Sequence, residues 1–90
     1  MMKLNSDYLY TELADDSVLV PTGDAAKSFH GIIRLNETGK FIYRCISENL
    51  TKTQIVARLT QEYDVSEDAA EKAAGDFIAE LLDAGVVEED

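Results

Sequence analysis

The residues whose types could do chemistry are few, and their spacing keeps them apart. His30 is the only histidine and Cys45 the only cysteine in 90 residues. Acid–base or nucleophilic catalysis needs two such groups held within reach of each other. A lone histidine beside a strand is ordinarily a surface or strand residue. Cys45 shares a helical stripe with Phe41, Ile42 and Ile46. That places it in an apolar core, where a thiol is an inert small hydrophobe. A single cysteine forms no internal disulfide, which fits a reducing compartment. Asp15-Asp16 is a turn pair without the alternating oxygen ligands of a calcium loop. No Cys, His or acid cluster has metal-ligand spacing, and no glycine-rich loop could cradle a phosphate. The reading is a protein with no catalytic residues, no metal and no cofactor, so its work is binding.

Composition narrows what is bound. Eighteen acids against eight bases give a net charge of −10. Such a field repels nucleic acid and anionic membranes and attracts basic partners, although it also serves solubility alone. Apolar residues make up 46% of the chain, enough for a core. No run of about 20 apolar residues could span a bilayer, and the N-terminus lacks an apolar signal core. The expectation is one cytoplasmic domain over residues 1–90, with a modest stability margin.

The positioning elements turn on Ile32-Ile33-Arg34-Leu35-Asn36-Glu37-Thr38-Gly39, where the pattern changes from strand to helix. Ahead of it, residues 1–6 read as a frayed end. Asp7 to Leu13 alternates, with Tyr8, Tyr10 and Glu12 on one face and Leu9, Thr11 and Leu13 on the other, as in a strand. Ala14 to Ser17 is turn material. Val18-Leu19-Val20 is a second strand ended by Pro21. Thr22 to Ser28 reads as a loop, and Phe29 to Leu35 as a third strand. Three strands with short connections make an antiparallel meander.

Three helices follow. Asn36 is an N-cap for a helix over Glu37–Ser47. Gly39, in its first turn, costs about 1 kcal/mol against Ala, which argues for a close packing partner. Thr51 and Gln54 form a capping box for a second helix carrying Ile55, Val56, Leu59 and Tyr63. Ser66 starts a third helix, with Glu67 and Asp68 at its positive end, running to Asp83 with Gly85 as terminator. Its apolar residues recur as pairs four apart: Ala69-Ala70, Ala73-Ala74, Phe77-Ile78 and Leu81-Leu82. They cover roughly half the circumference. Either the helix is wedged in the core, or one side meets the core and the other lines a groove. Val86-Val87 folds back, and residues 88–90 read as a solvated tail. The fold class is α+β, a three-stranded antiparallel sheet packed on three helices, winged-helix-like.

Two likenesses fail on the residues. Asp16-Ser17-Val18 resembles the phosphopantetheine serine site of acyl carrier proteins, but that serine opens a helix, whereas Ser17 leads into Val-Leu-Val-Pro. A DNA-binding winged helix needs a basic face. The third helix holds Glu67, Asp68, Glu71, Asp76, Glu80 and Asp83 against Lys72.

A third likeness holds. Leu35-Asn36-Glu37-Thr38-Gly39-Lys40-Phe41-Ile42-Tyr43 resembles the strand-to-helix signature of the PqqD family. Thr51…Ile55-Val56…Leu59…Tyr63-Asp64-Val65 and Asp76 to Val87 resemble the family's second helix and closing segment. The likeness covers about Tyr8 to Val87, with the N-terminal strands matching as pattern only. PqqD-like domains are RiPP recognition elements. The resemblance therefore implies a leader-peptide binding domain. The precursor's leader would add as a strand beside the third strand, against the third helix. The domain would then present it to a modifying enzyme, often a radical SAM enzyme.

The residues agree where they can. An edge strand offers unpaired N–H and C=O groups to an extended peptide, and also to a second copy of itself, so a homodimer is open. Ile32 and Arg34 share one face of the strand, Ile33 and Leu35 the other; which pair faces the core is not legible. Ala73, Phe77 and Leu81 would wall the groove, with Asp76 and Glu80 at its rim for a basic leader residue and Arg34 for an acidic one. Plain core for the apolar members and a solvated face for the acids are the competing readings. A winged-helix interaction domain, DNA-binding or an assembly subunit, is the second function considered. A small enzyme is the third.

Overall fold

The computed structural model describes residues 2–28 and 31–89. The elements run β1 (Met2–Leu4), β2 (Tyr8–Leu13), β3 (Asp16–Pro21), α1 (Gly23–Ser28), β4 (Ile33–Leu35), α2 (Glu37–Ser47), α3 (Lys52–Glu62), α4 (Glu67–Asp83) and β5 (Val87–Glu89). The meander forms in the order β2-β3-β4, antiparallel throughout. β2 and β3 are joined by a two-residue turn, Leu13 pairing with Asp16, and Ala14 sits at φ 55 to make it.

Register fixes the two faces. Tyr10, Leu19 and Ile33 lie side by side, as do Ser17 and Leu35, and this face meets the helices. Leu9 and Leu13 point the other way and are exposed. The period-2 alternation of β2 thus reads out as expected. The Tyr8 hydroxyl donates to the carbonyl of Ala84 at 2.7 Å, tying the sheet to the end of α4.

The helices begin and end where local chemistry says they should. Asn36 Oδ1 accepts from the Gly39 N–H at 2.7 Å. Thr51 and Gln54 bond reciprocally, at 3.2 and 2.8 Å. Ser66 Oγ accepts from the Ala69 N–H. Helix α4 ends in paired bonds, Val86 N–H to the Leu81 carbonyl and Gly85 N–H to that of Leu82, with Gly85 at φ 78. Helix α2 ends the same way with Asn49, at φ 65, in the glycine position. One cluster of buried side chains joins sheet and helices, including Leu19, Leu35, Ile42, Ile46, Ile55, Leu59, Ile78 and Leu81.

Four expectations are corrected. Residues 1–6 are not a loose end: Met2–Leu4 pairs antiparallel with Val87–Glu89 in a second, two-stranded sheet, so 88 and 89 are not a free tail either. Asn5 reinforces the seam, its N–H donating to the Val86 carbonyl and its Nδ2 to that of Gly85. Residues 23–28 are a short helix rather than loop, held at its start by the Thr22 N–H and hydroxyl donating to the Asp7 carbonyl. The β4 strand is shorter than Phe29 to Leu35. It begins at Ile33, and the Phe29 and His30 part of that expectation lies outside the described residues.

Candidate functional site

The site is built where β4 turns into α2. β4 is the last strand of its sheet. One side pairs with β3, and the other meets no strand among the described residues. Leu35 is buried, Ile33 half-buried, and Ile32 and Arg34 are exposed. The inward pair is therefore Ile33 and Leu35. Arg34 lies 3.9 Å from the carboxylate of Asp16 across the sheet, with both side chains largely in water.

Immediately after β4, the first turn of α2 meets α4. A Cβ built on Gly39 would stand 3.0 Å from Cζ of Phe77 and 3.1 Å from Asn36 Oδ1. Gly39 is itself buried, so glycine here is what lets the Phe77 ring lie against the helix backbone. From Phe77 toward the start of α4, Ala73 and Ala69 follow at four-residue spacing. Both are exposed, and Phe77 is half-buried. Next to this column, Thr38, Leu59, Tyr63, Val65, Ala69, Ala70 and Ala73 line a hollow of about 140 Å³. Val65 is among the few large hydrophobic residues left exposed.

The paired stripe of α4 thus divides. Ala70, Ala74, Ile78 and Leu81 are the buried column. Ala69, Ala73 and Phe77 form the column facing outward. At about 100° per residue, Glu80 and Asp76 flank that outer column. Both are exposed, and Asp76 accepts an ion pair from Lys72 at 3.0 Å. Leu81, expected in the groove wall, is 1% exposed and belongs to the core, so it offers no surface to a ligand. Ile32 precedes the strand rather than lying in it.

Cys45 is buried, and that burial raises its thiol pKa. No grouping of His, Cys, Asp and Glu suited to a metal ion occurs among the described residues. No helix is long and apolar enough to cross a membrane.

Sequence reasoning missed a second cluster on α2. Tyr43 stacks on Tyr10 at 5.4 Å, and Phe41 meets Tyr63 edge-on at 5.5 Å. Lys40 Nζ lies 2.8 Å from Glu12 Oε1, and the Tyr10 hydroxyl donates to the same oxygen at 3.0 Å. The Lys40 contact, and then Tyr10, hold the Glu12 carboxyl below its ordinary range. Glu12 in turn holds the Lys40 ammonium above its own. The alternation of β2, which puts Tyr10 and Glu12 on one face, was the available signal.

A three-stranded meander, a strand running through a capped joint into a helix, and a last helix with a half-open face define a winged-helix-like α+β class. The family model for coenzyme PQQ synthesis protein D (PqqD) matches residues 16–87, and the chain belongs to the PqqD family. Two solved structures share the fold. One is described as TbiB1 in complex with the TbiA(beta) leader peptide. It is 20% identical, with a TM-score of 0.81 over 98% of this chain and 96% of that one. The other, lasso peptide synthetase B1 complexed with the leader peptide, is 19% identical, with a TM-score of 0.82 over 98% of each chain. No curated protein matches the chain at a significant level.

Proposed function

We propose that this chain is a non-catalytic adaptor of ribosomal peptide biosynthesis. It binds the leader segment of a precursor peptide as an added strand on β4 and presents it to a modifying enzyme. The observation that carries the reading is the open edge of β4 next to a helix face left half-covered. Main-chain pairing supplies affinity, and side-chain pockets supply selectivity. Ala69 and Ala73 leave room beside the Phe77 ring, and Val65 and Tyr63 extend the apolar wall. Asp76 and Glu80 lie where a basic leader residue would meet them, and Arg34 where an acidic one would. Family membership and a fold shared with two leader-peptide complexes support this reading. The 90 residues act as one peptide-binding unit, in the cytoplasm, with a radical SAM enzyme as one class of partner.

A titration of isotope-labelled protein with the precursor encoded beside this gene tests it. The expected result is shifts in the amide signals of β4 and of α4 around Ala73 and Phe77. No binding below about millimolar, where the binding free energy is only about 4 kcal/mol, would sink the proposal.

A further inference from the structure

We infer that the outward ridge of α2, centred on Arg44 with Lys40 beside it, is a second contact surface for the precursor. It takes a carboxylate side chain that lies beyond the segment paired with β4. The inference rests on the adaptor reading. Its first support is shape. Two hollows flank the ridge, of about 200 and 190 Å³, and Lys40 and Arg44 line both. Tyr10 and Tyr43 wall one, and Phe41 and Tyr63, with the acidic Glu37 at its edge, the other. Tyr63 also lines the hollow that contains Thr38 and Ala73. A line of hollows therefore runs from Ala73, past Tyr63, to Arg44. An extended chain leaving the groove would follow it at about 3.3 Å per residue.

Charge supplies the second support. The protein carries −10, so an acidic peptide is repelled by most of its surface. Arg44 is exposed and makes no ion pair among the described residues. Lys40 spends one contact on Glu12 and keeps donors for another acceptor. A planar guanidinium between aromatic walls is suited to a carboxylate, by two parallel hydrogen bonds. Arg and Tyr are also the residue types that dominate binding hot spots. On such a body the ridge would select precursors with an acid at one fixed offset from their strand-forming segment.

The test is a selection from a randomised 14-residue peptide library displayed on its own mRNA, against the wild-type protein, Arg44→Glu and Phe77→Glu. Thermal melts confirm that each variant is folded. The wild type is expected to enrich Asp or Glu at a fixed distance from an apolar strand segment. Arg44→Glu should lose that acid while keeping the apolar segment, and Phe77→Glu should lose both. A synthetic selected peptide should bind Arg44→Glu about tenfold more weakly than wild type, and its Glu→Gln version should bind the two alike. Peptides selected by the wild type without an acid preference would overturn the inference and leave the ridge to a protein partner. Failure of the wild type to select any peptide would instead remove the adaptor reading itself.

Discussion

The ring of Phe77 lies where a side chain on Gly39 would begin, 3.0 Å from the position of its Cβ. This contact joins the helix that follows the edge strand to the helix that faces it. Gly39→Ala should push the ring outward, because Phe77 is only half-buried and has room on that side. Overpacking costs about 1–3 kcal/mol, and the gain in helix propensity offsets about 1 kcal/mol of that. Stability should therefore fall by no more than about 2 kcal/mol, while peptide affinity falls severalfold more than melting would explain. A chemical denaturation curve paired with a peptide titration checks this. Unchanged affinity would mean that the ring does not shape the groove.

Phe77 and Leu81 sit one helical turn apart but have opposite fates. Leu81→Ala should cost about 2–5 kcal/mol of stability, as a deletion in a closed core does. Phe77→Ala should cost less stability and more binding. It should also weaken peptide binding more than Tyr63→Ala at equal foldedness. Unchanged peptide affinity in folded Phe77→Ala would remove Phe77 from the site.

The Glu12–Lys40 contact sets a pH dependence with a definite sign. Glu12 has a lowered pKa, held down first by its hydrogen bond with Lys40. Its contribution is present above the ordinary carboxylate pKa and lost as pH falls through the lowered value. Lys40 is raised, so its contribution is present below the ordinary ammonium pKa and lost as pH rises through the raised one. The wild type should lose stability on acidification more steeply than Glu12→Gln. Melting curves from neutral pH into the acid range measure the difference, which shrinks in high salt because the pair is exposed to solvent.

Cys45 gives a readout of folding. Burial raises its thiol pKa, so the native protein should react slowly with a thiol-specific reagent at mildly alkaline pH. Unfolding in denaturant should speed the reaction by orders of magnitude. Fast labelling of the native state would mean that α2 opens readily from the core.

What the sequence made legible was local. Asn36, Thr51 with Gln54, and Ser66 each cap a helix using atoms within three residues, so α2, α3 and α4 could be placed from short stretches. The double column of α4 was legible too, but periodicity gives angles and not partners. Only packing shows that Leu81 turns inward and Phe77 stays at the edge. Gly39 announced a close approach without naming Phe77. The β1–β5 pairing was illegible because each three-residue strand depends on the opposite end of the chain. Helix α1 was hidden by its glycine start and its brevity. The aromatic–basic ridge of α2 was missed because Tyr10 and Tyr63 reach it from other elements.

The β1–β5 seam sets Met2 opposite Glu89, so the backbone closes on itself as a ring fastened by hydrogen bonds. A linker of a few residues could join the two strands covalently, and the ring could then be cut in an exposed turn such as Ala14-Asp15 with the same neighbours kept in space. The groove depends on which residues meet and not on where the chain happens to start. A second protein fused at either strand would leave from the same corner.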